Sequence, residues 1–336
     1  MSGKQSSTGA PVVASAHADS RANRMPDFFL VGQPKSGTTA LYEMLRRHPR
    51  IFMPENKEPW FLAPELLDRA PPRPQGTPRT LSEYLALFSD ADPGQLTGEA
   101  TAMYLWSPTA AERIAQERPD ARIIAILREP ASLLRSLHLQ WVKSYVETET
   151  DLRRALELEP ARRQGREIPR YTYWPQGLLY SDHVRYVEQL RRYHRVFPPE
   201  QILTLIYDDF RADNESVVRR VLSFLDVDGN VQIEPLQANP TVAVRSGRLH
   251  ELVHAVSVGR GPISRAIKEA IKAVTPRAAR RDALHAVNSS VLYGGKPPDD
   301  DELMLELRRR YRSEVAALSE YIDRDLLALW GYDELG

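Results

Sequence analysis

Phe28-Phe29-Leu30-Val31-Gly32-Gln33-Pro34-Lys35-Ser36-Gly37-Thr38-Thr39-Ala40-Leu41 is the stretch that decides the fold. Its first four residues are apolar and read as a buried strand, while Ala40-Leu41-Tyr42-Glu43-Met44-Leu45-Arg46-Arg47 reads as an amphipathic helix. Between them lies a turn with Gly32, Pro34 and Gly37, one lysine and three hydroxyl residues. A strand that feeds a helix through such a loop leaves the first helical N–H groups without partners. Those groups bind a phosphate-like anion, and Lys35 adds a full positive charge. The expectation is a chain that handles an activated phospho- or sulfo-nucleotide.

Outward from this run, two further short apolar stretches suit strands covered on both faces. One is Ala121-Arg122-Ile123-Ile124-Ala125-Ile126-Leu127, ending at Arg128-Glu129-Pro130; the other is Gln201-Ile202-Leu203-Thr204-Leu205-Ile206-Tyr207, ending at Asp208-Asp209. Helical patterns over 107–118, 131–146, 181–195 and 213–225 alternate with them. The alternation predicts an α/β fold of three layers, P-loop-like, with a central parallel sheet flanked by helices. Ligands of such sheets bind beyond the carboxyl ends of the strands, so Lys35, Arg128 and Tyr207 are expected to converge on one cleft. Residues 1–24, rich in Ser, Ala and Gly, read as a disordered tail, and 25–336 as a single domain with a looser, mostly helical part from about 240. Proline-rich 64–78 reads as a surface loop. The stretch 152–177, basic and then aromatic, reads either as a lid over an acceptor site or as a solvated basic face followed by a packed aromatic turn.

Composition narrows the function classes. Basic and acidic residues number 45 each, so the formal net charge is zero and nucleic-acid binding has no overall electrostatic support. The chain has no cysteine, which excludes disulfides and thiolate metal sites. No run approaches the roughly 20 apolar residues that span a bilayer. A cytoplasmic protein without stable membrane insertion is expected, and its oligomeric state is open.

The nucleoside-triphosphatase pattern places a lysine directly after the second glycine of its loop. Thr38 stands there, and the lysine has moved inside the loop to position 35. Pro34-Lys35-Ser36-Gly37-Thr38-Thr39 instead resembles the 5′-phosphosulfate loop of the sulfotransferases that use 3′-phosphoadenosine 5′-phosphosulfate (PAPS), in particular their carbohydrate-type and bacterial branch. Ile126-Leu127-Arg128-Glu129-Pro130, with Ser136 further on, resembles that family's 3′-phosphate segment, in which an arginine grips the phosphate and a helical serine points back to it. Tyr207 resembles a family tyrosine that contacts the nucleotide. Lys57-Glu58-Pro59-Trp60-Phe61 resembles the segment whose glutamate is the general base, which makes Glu58 the expected base and Glu99 the second choice. The resemblance implies PAPS as sulfuryl donor, bound by Lys35, Ser36, Gly37, Thr38, Thr39, Arg128, Ser136 and Tyr207, with no metal ion. The implied reaction is in-line displacement at sulfur by a hydroxyl of a glycan, a lipid or a secondary metabolite, with Glu58 and Lys35 catalytic.

Some features depart from the family pattern. Ala40 stands where the cytosolic small-molecule branch has a tryptophan, and that branch's catalytic histidine segment has no counterpart. The family's C-terminal loop that closes over the 3′-phosphate is matched only imperfectly, with Arg245, Arg248 and Lys296 as candidates. Two rival readings were weighed. His250-Glu251-Leu252-Val253-His254 fits the zinc-peptidase pattern, but Arg260 stands where the metzincin third histidine belongs. A P-loop nucleotide-dependent kinase is the other, and the displaced lysine argues against it.

Overall fold

The fold is seen in a computed structural model, which describes residues 24–66, 77–144, 146–169, 172, 174–229 and 300–335. Strands β1 (Phe28–Gly32), β2 (Ile51–Phe52), β3 (Leu96–Ala100), β4 (Arg122–Leu127) and β5 (Ile202–Ile206) form one sheet in the order β2-β3-β1-β4-β5. Every pairing is parallel, with Phe28 opposite both Gly98 and Arg122 and Ile124 opposite Leu203. The chain leaves β1 toward β3 on one side and returns to place β4 on the other. Beyond the ends of β1 and β4 this reversal opens the crevice in which such sheets bind ligands.

Alternation along β1 explains the layers. Phe28 and Leu30 face one core with Ile124, Ile126 and Leu205; Phe29 and Val31 face another with Ile123, Ala125 and Leu127. The first core is closed by helices α1 (Thr38–Arg46) and α10 (Asn214–Phe224), through Leu41, Leu45, Val217 and Val221. The second lies under helices α3 (Ala110–Glu117), α4 (Pro130–Lys143) and α8 (Tyr186–His194). The long helix α11 (Asp301–Tyr321) also packs there, against α4, burying Leu303, Leu307, Tyr311, Val315 and Leu318. That spacing of three and four residues is the stripe of an amphipathic helix, and Asp300 caps its start by accepting from Leu303 N at 2.9 Å. The parallel α/β sheet flanked by helices is therefore present as expected. Among the described residues no helix is long and apolar enough to cross a membrane.

The three apolar strands fall within a residue of their expected limits, whereas β2 and β3 were not expected. Leu96-Thr97-Gly98-Glu99-Ala100 has too few apolar residues to read as a strand, yet all but its first residue are buried. The expected helix over 181–195 is broken at Val184, giving α7 (Tyr180–His183) and α8. Within 152–177, helices α5 (Leu152–Glu157) and α6 (Glu159–Arg163) pack their apolar side on the body, while Arg163 and Arg166 stay exposed as in a solvated basic face. Their Arg162 is buried, and so is Trp174 beyond them. The tail before Arg24, the basic stretch over 245–281, the His250–His254 pair of the zinc pattern, Arg245, Arg248 and Lys296 lie outside the described residues.

Arg162 makes a two-pronged pair with Glu147, Nη1 to Oε2 at 2.7 Å and Nη2 to Oε1 at 3.0 Å, with both side chains out of solvent. Removing one partner leaves the other charge buried alone. Arg162→Ala should therefore lower unfolding stability by about 3 kcal/mol or more in urea titrations, and Arg162→Met with Glu147→Leu should recover most of that loss.

Candidate active site

The loop after β1 is fixed from both sides. Gln33 N donates to Ile126 O of β4 at 2.8 Å, and Leu105 N donates to Val31 O at 2.7 Å. The Gln33 side chain is fully buried and donates to His183 O at 2.9 Å. Gly37 ends the loop with φ +87°, a conformation that glycine adopts without strain. A Cβ there would come within 3.0 Å of the Phe210 ring and 3.3 Å of Tyr207. Gly37 also occupies the N-cap of α1, so no side chain caps that helix, and its first turn has no acidic residue. Its leading N–H groups and the positive end of its dipole are thus open to an anion.

Two cations meet at this point. Arg128, just past β4, donates from Nη1 to the Lys35 carbonyl at 2.8 Å. Its guanidinium also lies 4.8 Å from the centre of the Tyr207 ring. Lys35, with φ +63°, turns its ammonium toward Gln140 Oε1 at 3.4 Å. Among the described residues neither cation pairs with a carboxylate. Burial holds Lys35 below the usual lysine value, with the charges of Arg128, Lys143 and Lys57 acting in the same direction. Burial likewise lowers Arg128. The structure thus brings Lys35, Gly37, Arg128 and Tyr207 together. Ser36 and Thr38 are buried, Thr39 is exposed at the helix start, and Ser136 is buried on α4. Gln140 was missed in the sequence, although it stands one turn beyond Ser136 on the same helix face.

Glu58 is placed by backbone bonds to the turn after β3. Its N–H donates to Ala100 O at 3.0 Å, and its Oε2 accepts from Ala102 N at 3.0 Å. Lys57 donates to its other oxygen. Glu58 and Trp60 both have positive φ, at 62° and 58°, so this segment is held in a conformation that non-glycine residues rarely take. Trp60 begins an aromatic cluster: its ring lies edge-on to Trp174, which meets Trp106 and Trp141 in the same manner. Since Ala100 pairs with Leu30 across the sheet, Glu58 and Lys35 share one end of adjacent strands.

Glu99, the second candidate, has another setting. It is fully buried and accepts from Thr101 Oγ1 at 2.6 Å, Tyr84 Oη at 2.7 Å and Tyr104 Oη at 3.0 Å. Burial raises its pKa to about 7, opposed by the three hydroxyl bonds and assisted by the charge of Glu58. Among the described residues its oxygens are bonded to Thr101, Tyr84 and Tyr104. Because its folded pKa exceeds that of an unfolded glutamate, the stability it contributes is full below about pH 4.5 and is lost as pH rises through about 7. In urea titrations, Glu99→Gln should therefore gain on the wild type by about 2 kcal/mol between pH 5 and pH 8. An unchanged gap would show that Glu99 ionises without cost.

Comparison with known proteins agrees with this geometry. The sulfotransferase domain family matches residues 25–243. A membrane-associated sulfotransferase, kil1 of Dictyostelium discoideum, is 23% identical over 274 residues, covering 61% of this chain and 56% of that protein. Heparan sulfate glucosamine 3-O-sulfotransferase 6 of Homo sapiens is 29% identical over 221 residues, covering 65% of this chain and 56% of its own length. The chain thus spans about half the length of the curated relatives it matches. The crystal structure of a sulfotransferase from Alicyclobacillus acidocaldarius superposes with a TM-score of 0.56 at 28% identity, over 76% of this chain and 99% of that one. A match that takes in the whole sheet and both cations of its crevice leaves one conclusion: the chain belongs to the sulfotransferase family.

Proposed function

We propose that the protein transfers a sulfuryl group from PAPS to a hydroxyl group of an acceptor. The observation that supports this most is the pair of partly buried cations, Lys35 and Arg128, at an uncapped helix N-terminus and without a carboxylate partner among the described residues. Cations withdrawn from water are stable only if an anion completes the site. A nucleotide with phosphates at both its 5′ and 3′ positions fits that requirement: the loop N–H groups with Lys35 for one, Arg128 with Ser136 for the other. Tyr207, already in contact with Arg128, closes the side of that subsite.

When bound, PAPS supplies the sulfuryl group and a 5′-phosphate leaving group. Glu58 takes the proton of the acceptor hydroxyl as its oxygen forms the new bond to sulfur. The electron pair of the breaking S–O bond passes to the 5′-phosphate. Lys35 and the N–H groups of Gly37, Thr38 and Thr39 stabilise the charge gathering there. Backbone bonds to Ala100 and Ala102 fix Glu58 on the strand end next to the loop, so base and anion cradle belong to one rigid frame. Trp60 stands beside the base and offers an apolar face to the carbon skeleton of an alcohol. The acceptor class, whether glycan, lipid or secondary metabolite, is open.

Calorimetric titration with adenosine 3′,5′-bisphosphate, without metal, tests the nucleotide. Binding in the micromolar range or tighter is expected, weakened roughly tenfold to a hundredfold in Arg128→Ala. Binding of ATP–Mg²⁺ in its place would overturn the proposal. With labelled PAPS and a competent acceptor, Glu58→Gln should lose about a hundredfold or more in kcat while keeping nucleotide affinity. Lys35→Ala should lose a similar factor. Near-normal turnover in Glu58→Gln would remove it as the base.

A further inference from the structure

The described C-terminal segment, residues 300–335, lies outside the stretch that matches the family, yet it reaches the acids next to the proposed nucleotide contacts. Glu129 follows Arg128, and Asp208 and Asp209 follow Tyr207. Tyr332 Oη donates to Glu129 Oε1, and Arg308 Nε lies 3.8 Å from the same oxygen. Trp330 Nε1 donates to Asp208 Oδ2 at 2.9 Å. Arg324 grips Asp209 with both of its terminal nitrogens, Nη2 reaching Oδ1 at 2.7 Å. Thus each of the three acids takes a hydrogen bond from this one segment.

The acids matter because they are the natural competitors of a phosphate. A free carboxylate beside Arg128 would neutralise the cation that the anion needs. Glu129 is almost wholly buried, and its oxygens also accept from Ala131 N at 3.1 Å and Ser132 N at 2.6 Å at the start of α4. Tyr332 completes that set of donors. Asp208 is also drawn away, with Arg211 at 3.5 Å on its other oxygen. Among the described residues Arg128 donates to the Lys35 carbonyl and lies over the Tyr207 ring.

We propose that Tyr332 and Trp330 are positioning residues of the nucleotide site, occupying the carboxylates of Glu129 and Asp208 so that neither pairs with Arg128 and its guanidinium can take a nucleotide phosphate. The inference rests on the nucleotide reading given above. It extends that site to a helical segment beyond the matched region, through hydrogen bonds rather than through contact with the ligand.

The test uses full-length protein and two variants, each of which removes one donor and leaves an aromatic ring: Tyr332→Phe, which loses only the hydroxyl, and Trp330→Phe, which loses the indole N–H with part of the ring. Each should weaken adenosine 3′,5′-bisphosphate binding by about threefold to tenfold in calorimetry. KM for PAPS should rise by a similar factor, with kcat and the acceptor KM unchanged. The control is Arg153→Ala. It removes the contact between Arg153 and Glu306 of α11, which ties the same segment down away from the crevice. This variant should bind the nucleotide like the wild type. Wild-type binding with both ring variants within twofold of it would overturn the positioning role and leave the nucleotide reading intact. An equal loss in Arg153→Ala would overturn it too, because general loosening of the helix would then account for the effect. A wild type that does not bind the nucleotide overturns both readings.

Discussion

Two cations at the head of one helix, neither paired with a carboxylate among the described residues, set the terms for the rest of the molecule. Lys35 and Arg128 repel each other and are partly withdrawn from water, so their placement costs free energy until a ligand arrives. Only a stiff frame can hold such an arrangement. The frame is the pair β1 and β4, buried on both faces; Arg128 directly follows β4, and Lys35 stands three residues past the end of β1. The Arg128–Lys35 carbonyl bond joins the two ends across the crevice. Tyr186 adds a third tie by donating to the Arg128 carbonyl at 2.7 Å.

The remaining layers support that frame. Strand order β2-β3-β1-β4-β5 puts β1 beside the point where the chain reverses direction across the sheet, and the anion loop follows from it. The turn after β3 lies on the other side of the loop. It carries two kinds of carboxylate attachment, Glu58 held by main-chain groups and Glu99 sealed by hydroxyls. The C-terminal helices complete the second core, and their side chains reach the acids behind Arg128 and Tyr207. Packing and site electrostatics are therefore coupled through a few residues at the helix ends.

What the sequence discloses follows from how local each signal is. The loop from Gly32 to Thr39 is a contiguous motif, and the strands around it are apolar runs covered on both faces, so both are legible. Arg128 and Tyr207 are legible because residues just past parallel strands must point to one crevice. Strand β3 is not, since Thr97, Gly98 and Glu99 conceal its burial; Gly98 is required there because a Cβ would fall 2.1 Å from the Phe28 ring. Gln140 and the partners of Glu129 escape for a different reason. They depend on side chains distant in sequence, and Tyr332 stands 203 residues from the carboxylate it meets. The buried Arg162 was hidden in a basic run whose neighbours, Arg163 and Arg166, are exposed, and only the fold separates them.

The two glutamates show most clearly why geometry must finish what composition begins. Both Glu58 and Glu99 are acids near the end of β3, and sequence alone ranks them without separating them. A general base must take its proton from an acceptor, so it needs an oxygen within reach of solvent. Glu58, partly exposed beside Lys57, has that setting. Glu99 has the opposite one, with Tyr84, Tyr104 and Thr101 filling the space a substrate would need. Its bonds instead brace the turn whose carbonyl and N–H at Ala100 and Ala102 hold Glu58. Glu99 thus braces the turn that holds Glu58, and the difference between the two carboxylates arises from environment and not from residue type.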